Sequence, residues 1–108
     1  MLALQVKKED TWHAVIPEPD AFIVNMGDMI QVWSNARFQA TEYRVNASSN
    51  RVRYSVLCFY NPSYQTVILP LVDKRELARY RLIPWDEYRS GRAAGNQGEE
   101  IQIAWYRN

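Results

Sequence analysis

Apolar and polar residues alternate with a period of two at the start of the chain, Leu2, Leu4 and Val6 against Ala3, Gln5 and Lys7. That is the pattern of a strand with one face buried. The charged run Lys7-Lys8-Glu9-Asp10 predicts a turn; Trp12, Ala14 and Ile16 then resume the alternation until Pro17 and Pro19 stop it, so the first two strands form a hairpin-like pair. Residues 21–24 are continuously apolar and predict a third strand. Asn25-Met26-Gly27-Asp28 turns the chain, with Asp28 placed to cap a short helix through Met29, Ile30 and Val32. A second turn falls at Ser34-Asn35-Ala36-Arg37. A run over 39–46 and a polar stretch over 47–50 lead into residues 51–60, rich in aromatic and β-branched side chains and the clearest strand of the sequence.

Asn61-Pro62-Ser63 breaks that strand, and residues 65–69 predict a short one ending at Pro70. Asp73-Lys74-Arg75-Glu76 has capping-box character and predicts a brief helix toward Tyr80. Pro84 opens another through Trp85 to Arg92. Gly95-Asn96-Gln97-Gly98 reads as a linker, and Ile101, Ile103 and Trp105 alternate with Gln102, Ala104 and Tyr106 as a last strand. Six or more short strands separated by turns argue for an all-β sandwich or barrel. The predicted division is a barrel domain with short C-terminal helices over 1–94, then a linker with a terminal strand or tail over 95–108. There is no internal repeat and no glycine-rich phosphate loop.

Composition narrows the function classes. The chain has 108 residues, enough for one small domain. Thirteen basic against twelve acidic residues leave a formal charge of +1, which favours neither nucleic acid nor an anionic membrane. The one cysteine, Cys58, sits in an apolar run, so a buried small hydrophobe in a reducing, cytoplasmic setting is expected. No apolar run approaches the roughly 18 residues that span a bilayer, and the opening MLALQVKKED lacks a signal-like hydrophobic region. Four tryptophans and seven tyrosines supply large contact areas with polar tips, suited to a core or to a pocket wall. One histidine and one cysteine cannot build a Ser-His-Asp, Cys-His or zinc constellation.

Residues 25–38, Asn-Met-Gly-Asp-Met-Ile-Gln-Val-Trp-Ser-Asn-Ala-Arg-Phe, resemble the segment that 2-oxoglutarate- and iron-dependent oxygenases of the isopenicillin N synthase-like group carry before their distal metal histidine. The similarity runs back through Leu4-Gln5-Val6 and Trp12. Forward, it runs through Thr41, Arg44-Val45 and Arg53-Tyr54-Ser55 to Phe59-Tyr60-Asn61-Pro62, with a weaker echo over 84–92. The resemblance implies a mainly β chain, a partial double-stranded β-helix of jelly-roll or cupin-like form, equivalent to the C-terminal part of such an enzyme.

It also implies an iron held by two histidines and a carboxylate, of which the His-x-Asp pair belongs upstream of the matched region. His13 is followed by Ala14 and Val15 and reads as an exposed structural histidine. The distal ligand belongs at the third position of Thr41-Glu42-Tyr43-Arg44-Val45, where this chain has Tyr43. The expectation is therefore no metal and no cofactor. Arg53 and Ser55, two apart on one strand and so on one face, match the pair that grips the far carboxylate of 2-oxoglutarate. Charge-assisted forked bonds suit that task, although Arg53 could instead pair with an internal acid such as Asp28 or Glu42. Leu57 and Phe59 continue the same face, and Trp33, Trp12 and Tyr43 are expected to line an apolar pocket. Asn35-Ala36 departs from the family's Asn-Gly; alanine is costly at positive φ, so a turn of different type is expected.

These readings predict a small-molecule-binding protein of oxygenase fold that has left iron-dependent oxidation for isomerisation, cyclisation or dehydration in a biosynthetic pathway. Tyr43 and Glu42 would be catalytic, Glu42 as an acid or base if buried. Arg53, Ser55, Trp33, Trp12 and Phe59 would bind a small organic molecule, with carboxylates the suited class. The alternatives are an accessory or complementing subunit and an inactive homologue. Expected partners are a second copy, with the tail from Glu99 at or near the interface, or a chain supplying the missing strands. Neither nucleic acid nor membrane is among them.

Overall fold

The computed structural model describes residues 3–47, 50–95 and 102–108. Strand β1 (Leu4–Lys8) pairs antiparallel with β2 (Thr11–Ala14), from Gln5 opposite Ala14 to Lys8 opposite Thr11. Glu9 and Asp10 make the connection with φ of 49° and 61°, the positive values that let a two-residue hairpin follow the twist of its strands. The other edge of β1 takes β3 (Tyr43–Val45), with Leu4 opposite Val45 and Val6 opposite Tyr43. A second small sheet joins β4 (Val67–Ile68) to β5 (Ile83–Pro84). Helix α1 (Asp28–Trp33), helix α2 (Trp85–Ala93) and a 3-10 turn at Ile103–Tyr106 complete the described elements, among which strands are the majority.

The core lies where α1, α2, the second sheet and the 3-10 turn meet. Val32, Ile68, Tyr80, Ile83, Trp85, Tyr88 and Tyr106 are buried together, with Met29, Ala36 and Ile103 packed against them. Each buried polar tip has a partner, as burial requires. Gln31 Nε2 donates to Tyr80 Oη at 2.8 Å, and Tyr106 Oη donates to Glu87 at 3.1 Å.

Several sequence expectations change here. Asp28 does not cap α1. Gly27 holds the cap position without a side-chain bond, and Asp28 is the first helical residue. Its carboxylate accepts the Tyr88 hydroxyl and so ties α1 to α2. The turn at Asn35-Ala36 keeps positive φ at both residues, 53° and 67°, despite the alanine. Asn35, 2% exposed, clamps it: Nδ2 donates to Glu76 at 2.8 Å and to the Leu77 carbonyl at 3.0 Å, while Oδ1 accepts from Arg79 N at 2.7 Å. Those same bonds explain why no helix forms over 73–80. The groups a helix would use internally are engaged by Asn35, and only a turn at Asp73 remains, closed by Arg75 N on its carboxylate at 2.8 Å.

Two predicted strands form no ladder. Residues 21–24 and 51–60 are exposed throughout, with Phe22 at 97%, Val56 at 96% and Tyr60 at 100%, and neither is assigned to a strand. Period-two patterning sets which side chains share a face, but a ladder also needs a partner backbone in register, and neither segment is paired in a ladder among the described residues. Cys58 is accordingly exposed rather than buried. The predicted terminal strand is a 3-10 turn followed by a single antiparallel bridge, Tyr80 to Arg107. Arg81 N donates to the Tyr106 carbonyl at 2.9 Å, and Asn108 N to that of Arg79 at 3.0 Å. The tail thus pairs within its own chain. Apart from Gly95, the predicted linker lies outside the described residues, as does Ile101.

Candidate functional site

An open cleft of about 640 Å3 lies between the first sheet, the approach to α1 and the C-terminal turn. Trp12 on β2, Glu42 and Tyr43 at the start of β3, and Phe59 line it, so four of the seven predicted site residues meet there. The sheet positions them. Pairing with β1 sets Trp12 opposite Lys7 and Tyr43 opposite Val6. Arg44, opposite Gln5, donates from Nε to the Gln5 amide oxygen at 2.7 Å and lays its guanidinium 4.2 Å from the centre of the Trp12 ring. Such a cation–π contact holds the indole in place.

Glu42 is anchored through its backbone, whose carbonyl accepts Lys7 N at 2.9 Å. Its carboxylate lies 3.4 Å from Lys7 Nζ and is 70% exposed. The hydrogen bond to Glu42 and then that to Asp10 hold the Lys7 ammonium above the usual lysine range. Glu42 is thus an ion-paired surface carboxylate rather than a buried acid. Arg53 and Ser55 are exposed and do not line the cleft. Neither acid proposed as an internal partner reaches Arg53. Asp28 takes the Tyr88 hydroxyl and Glu42 takes Lys7, and Arg53 is in no ion pair among the described residues. Trp33 ends α1 half-exposed and away from the cleft, its carbonyl accepting Leu71 N at 2.8 Å.

Met26, Asp28, Arg92 and Ile103 also line the cleft and were not anticipated. Asp28 carried a signal, its place before an apolar run, but one that pointed to a cap. Arg92 and Ile103 come from elements far along the chain, and only the packing of α2 and the C-terminal turn brings them here.

The donor set of this chain does not fit the iron centre of such enzymes. No group of three or more His, Cys, Asp or Glu residues is placed to hold a metal among the described residues. Where the resemblance puts a ligand histidine, β3 presents the phenol of Tyr43. Ferrous iron in these sites takes imidazole and carboxylate, and a phenol offers a comparable ligand only once its proton is lost. Whatever supplies the other two ligands, this position would still be a tyrosine.

The antiparallel sheet β2-β1-β3, the helix that follows Asn-Met-Gly and the pocket beside β3 define a portion of the double-stranded β-helix scaffold. The profile of the 2OG-Fe(II) oxygenase superfamily matches residues 2–62, and the chain belongs to that superfamily. It is 42% identical over 103 residues to jasmonate-induced oxygenase 2 of Arabidopsis thaliana, covering 92% of this chain and 28% of that protein. It is 41% identical over 88 residues to gibberellin 2-beta-dioxygenase 5 of Oryza sativa subsp. japonica, covering 80% and 26%. The crystal structure of JOX2 in complex with 2OG, Fe and JA superposes with a TM-score of 0.75 at 31% identity, over 100% of this chain and 33% of that one. A rice dioxygenase for auxin oxidation gives 0.70 at 24% identity, a likeness of fold alone. The chain thus spans about a quarter to a third of the length of these relatives. No described helix is long and apolar enough to cross a membrane.

Proposed function

We propose that the chain binds a small organic carboxylate in the cleft beside Trp12 and Tyr43 and serves a non-oxidative step, an isomerisation, cyclisation or dehydration in a biosynthetic pathway. The observation that carries this reading is the position of Tyr43. The resemblance places a metal ligand at this position, and Tyr43 lines the same cleft as Trp12 and Phe59. A hydroxyl there can hand a proton to bound substrate, as general acids do; Glu42, exposed and paired with Lys7, contributes a charged group to the cleft wall beside it. Trp12 and Phe59 supply apolar walls. Arg53 and Ser55 lie outside the cleft lining, on the run that carries Phe59 to it, and would take the carboxylate end of a ligand that extends from the cleft by charge-assisted bonds; Arg53 is in no ion pair among the described residues. The exposed thiol of Cys58 fits a reducing, cytoplasmic setting.

Calorimetric titration with 2-oxoglutarate and with JA, the organic molecules named for the JOX2 complex, tests binding. Arg53→Gln should weaken it about tenfold to a hundredfold, the worth of a hydrogen bond to a charged group. Tyr43→Phe should keep binding and lose turnover of any substrate found. No binding by the native chain, together with a silent Tyr43→Phe, defeats the reading. A second reading, an accessory or complementing subunit joined to a second copy or to a chain that supplies further strands, draws on segments 21–24 and 51–60, which are exposed and in no ladder among the described residues.

A further inference from the structure

A second recess, of about 400 Å3, lies between the turn at Asn35-Ala36, residues 77–79 and the segment 107–108. It shares no lining residue with the cleft of Trp12 and Tyr43. Gln39, Arg79, Arg107 and Asn108 are its polar side chains, set against Ala36 and Leu77, and no acid lines it. Neither guanidinium is within ion-pair distance of a carboxylate among the described residues. The acid nearest along the chain, Glu76, is engaged elsewhere: Oε1 accepts Asn35 Nδ2 at 2.8 Å and Oε2 accepts Arg37 at 2.6 Å.

The backbone that carries both arginines is held from two sides. Asn35, itself buried, donates to the Leu77 carbonyl at 3.0 Å and accepts Arg79 N at 2.7 Å. Opposite, Asn108 N donates to the Arg79 carbonyl at 3.0 Å, Asn108 Nδ2 donates to that of Ala78 at 2.9 Å, and Arg107 bridges to Tyr80. The Arg107 guanidinium lies 5.7 Å from the centre of the buried Tyr80 ring, a contact that restrains it. A primary amide carries two N–H donors. Gln39 uses one on the Ala36 carbonyl at 2.8 Å and Asn108 one on Ala78, so each keeps a second. Two guanidinium forks and two amide N–H groups therefore line a recess without a competing carboxylate, on a backbone ordered before any ligand arrives, which lowers the cost of binding.

We propose that this recess is an oxyanion site, taking the phosphate or carboxylate group of a small organic anion against Ala36 and Leu77. The planar fork of arginine matches two oxygens of such a group, and charge-assisted bonds of this kind are the strong ones. The site is separate from the cleft and stands whatever that cleft binds. An anion seated here joins the turn after α1 to segments 77–79 and 107–108, so it also stabilises the folded chain by mass action.

Calorimetric titration of the full chain at low salt, with inorganic phosphate and separately with malonate, tests the site. Saturable one-to-one binding is expected, with a Kd of about 1 mM or tighter, as two charge-assisted contacts imply. The tighter probe tells a phosphate from a carboxylate source. Arg79→Gln and Arg107→Gln should each weaken binding about tenfold or more. Arg107→Lys, which keeps the charge and loses the fork, should weaken it as well. Arg89→Gln on α2, an exposed position outside both recesses, removes the same charge and should leave the affinity within about twofold, because a distant exposed charge is screened. Amide exchange at Tyr80 and Ile83 checks folding. Arg79→Gln should leave it unchanged, since that guanidinium makes no hydrogen bond or ion pair among the described residues. No saturable binding of either probe overturns the inference. So does binding that Arg89→Gln weakens as much as Arg79→Gln does, which is diffuse attraction, and binding that the Arg79 and Arg107 variants leave intact, which is a carboxylate or phosphate seated elsewhere.

Discussion

Ala36 is the clearest case of a residue whose conformation is imposed from outside. Its φ of 67° costs an L-residue with a Cβ about 1–2 kcal/mol, and the Asn35 side chain, with three hydrogen bonds to Glu76, Leu77 and Arg79, more than offsets that cost. Ala36→Gly should therefore stabilise the chain by about 0.5–1 kcal/mol, less whatever the lost methyl contributes to the core. A thermal midpoint raised by a few degrees would bear this out; a lowered one would mean that the packing of the methyl outweighs the strain. At the same scale, Trp33, Trp12 and Tyr43 were expected to line one apolar pocket, and the structure places Trp12 and Tyr43 on the cleft but not Trp33. The ion pair of Glu42 with Lys7 was not legible, since it depends on the register between β1 and β3.

Among the elements, the C-terminal turn is bound most specifically. Tyr106 packs edge-on against Tyr88 and donates its hydroxyl to Glu87. Burial, then the hydrogen bond to Glu87, push its phenol above the ordinary value of 10.0. Below pH 10 the phenol is neutral in both the folded and the unfolded chain. As the pH climbs past 10 the unfolded chain ionises first, so stability falls until the raised folded value is reached. Lys7, raised from 10.5 by its two acids, loses its contribution in the same direction over a similar window. Tyr106→Phe should lower stability at neutral pH by about 1 kcal/mol and flatten the alkaline decline without removing it. Denaturation midpoints from pH 8 upward would measure this, and a decline of unchanged steepness in the variant would refute it. Helix α2 and the hairpin were legible from Pro84 and from the alternation around the Glu9-Asp10 turn. The predicted helix over 73–80 failed because Asn35, about forty residues earlier, takes its hydrogen-bonding groups.

For the whole molecule, the surface already exposed limits what unfolding can add. Unfolding should newly expose only about three quarters of the area that unfolding a compact domain of this mass would newly expose, and the urea m-value should fall in proportion. An m-value typical of a compact domain of 108 residues would contradict the open form described here. The sequence by itself determined what is local or carried by a motif: the hairpin, α1 and α2, the β-rich scaffold of the superfamily, and a tyrosine at position 43, where the resemblance places a histidine. Only the tertiary structure decided that Arg92 and Ile103 join Trp12 and Tyr43 in one cleft, that Glu42 goes to Lys7, and that 51–60 stands without a ladder. The physical reason is that side-chain periodicity is a property of one segment, whereas hydrogen-bonded pairing and burial belong to two segments brought together.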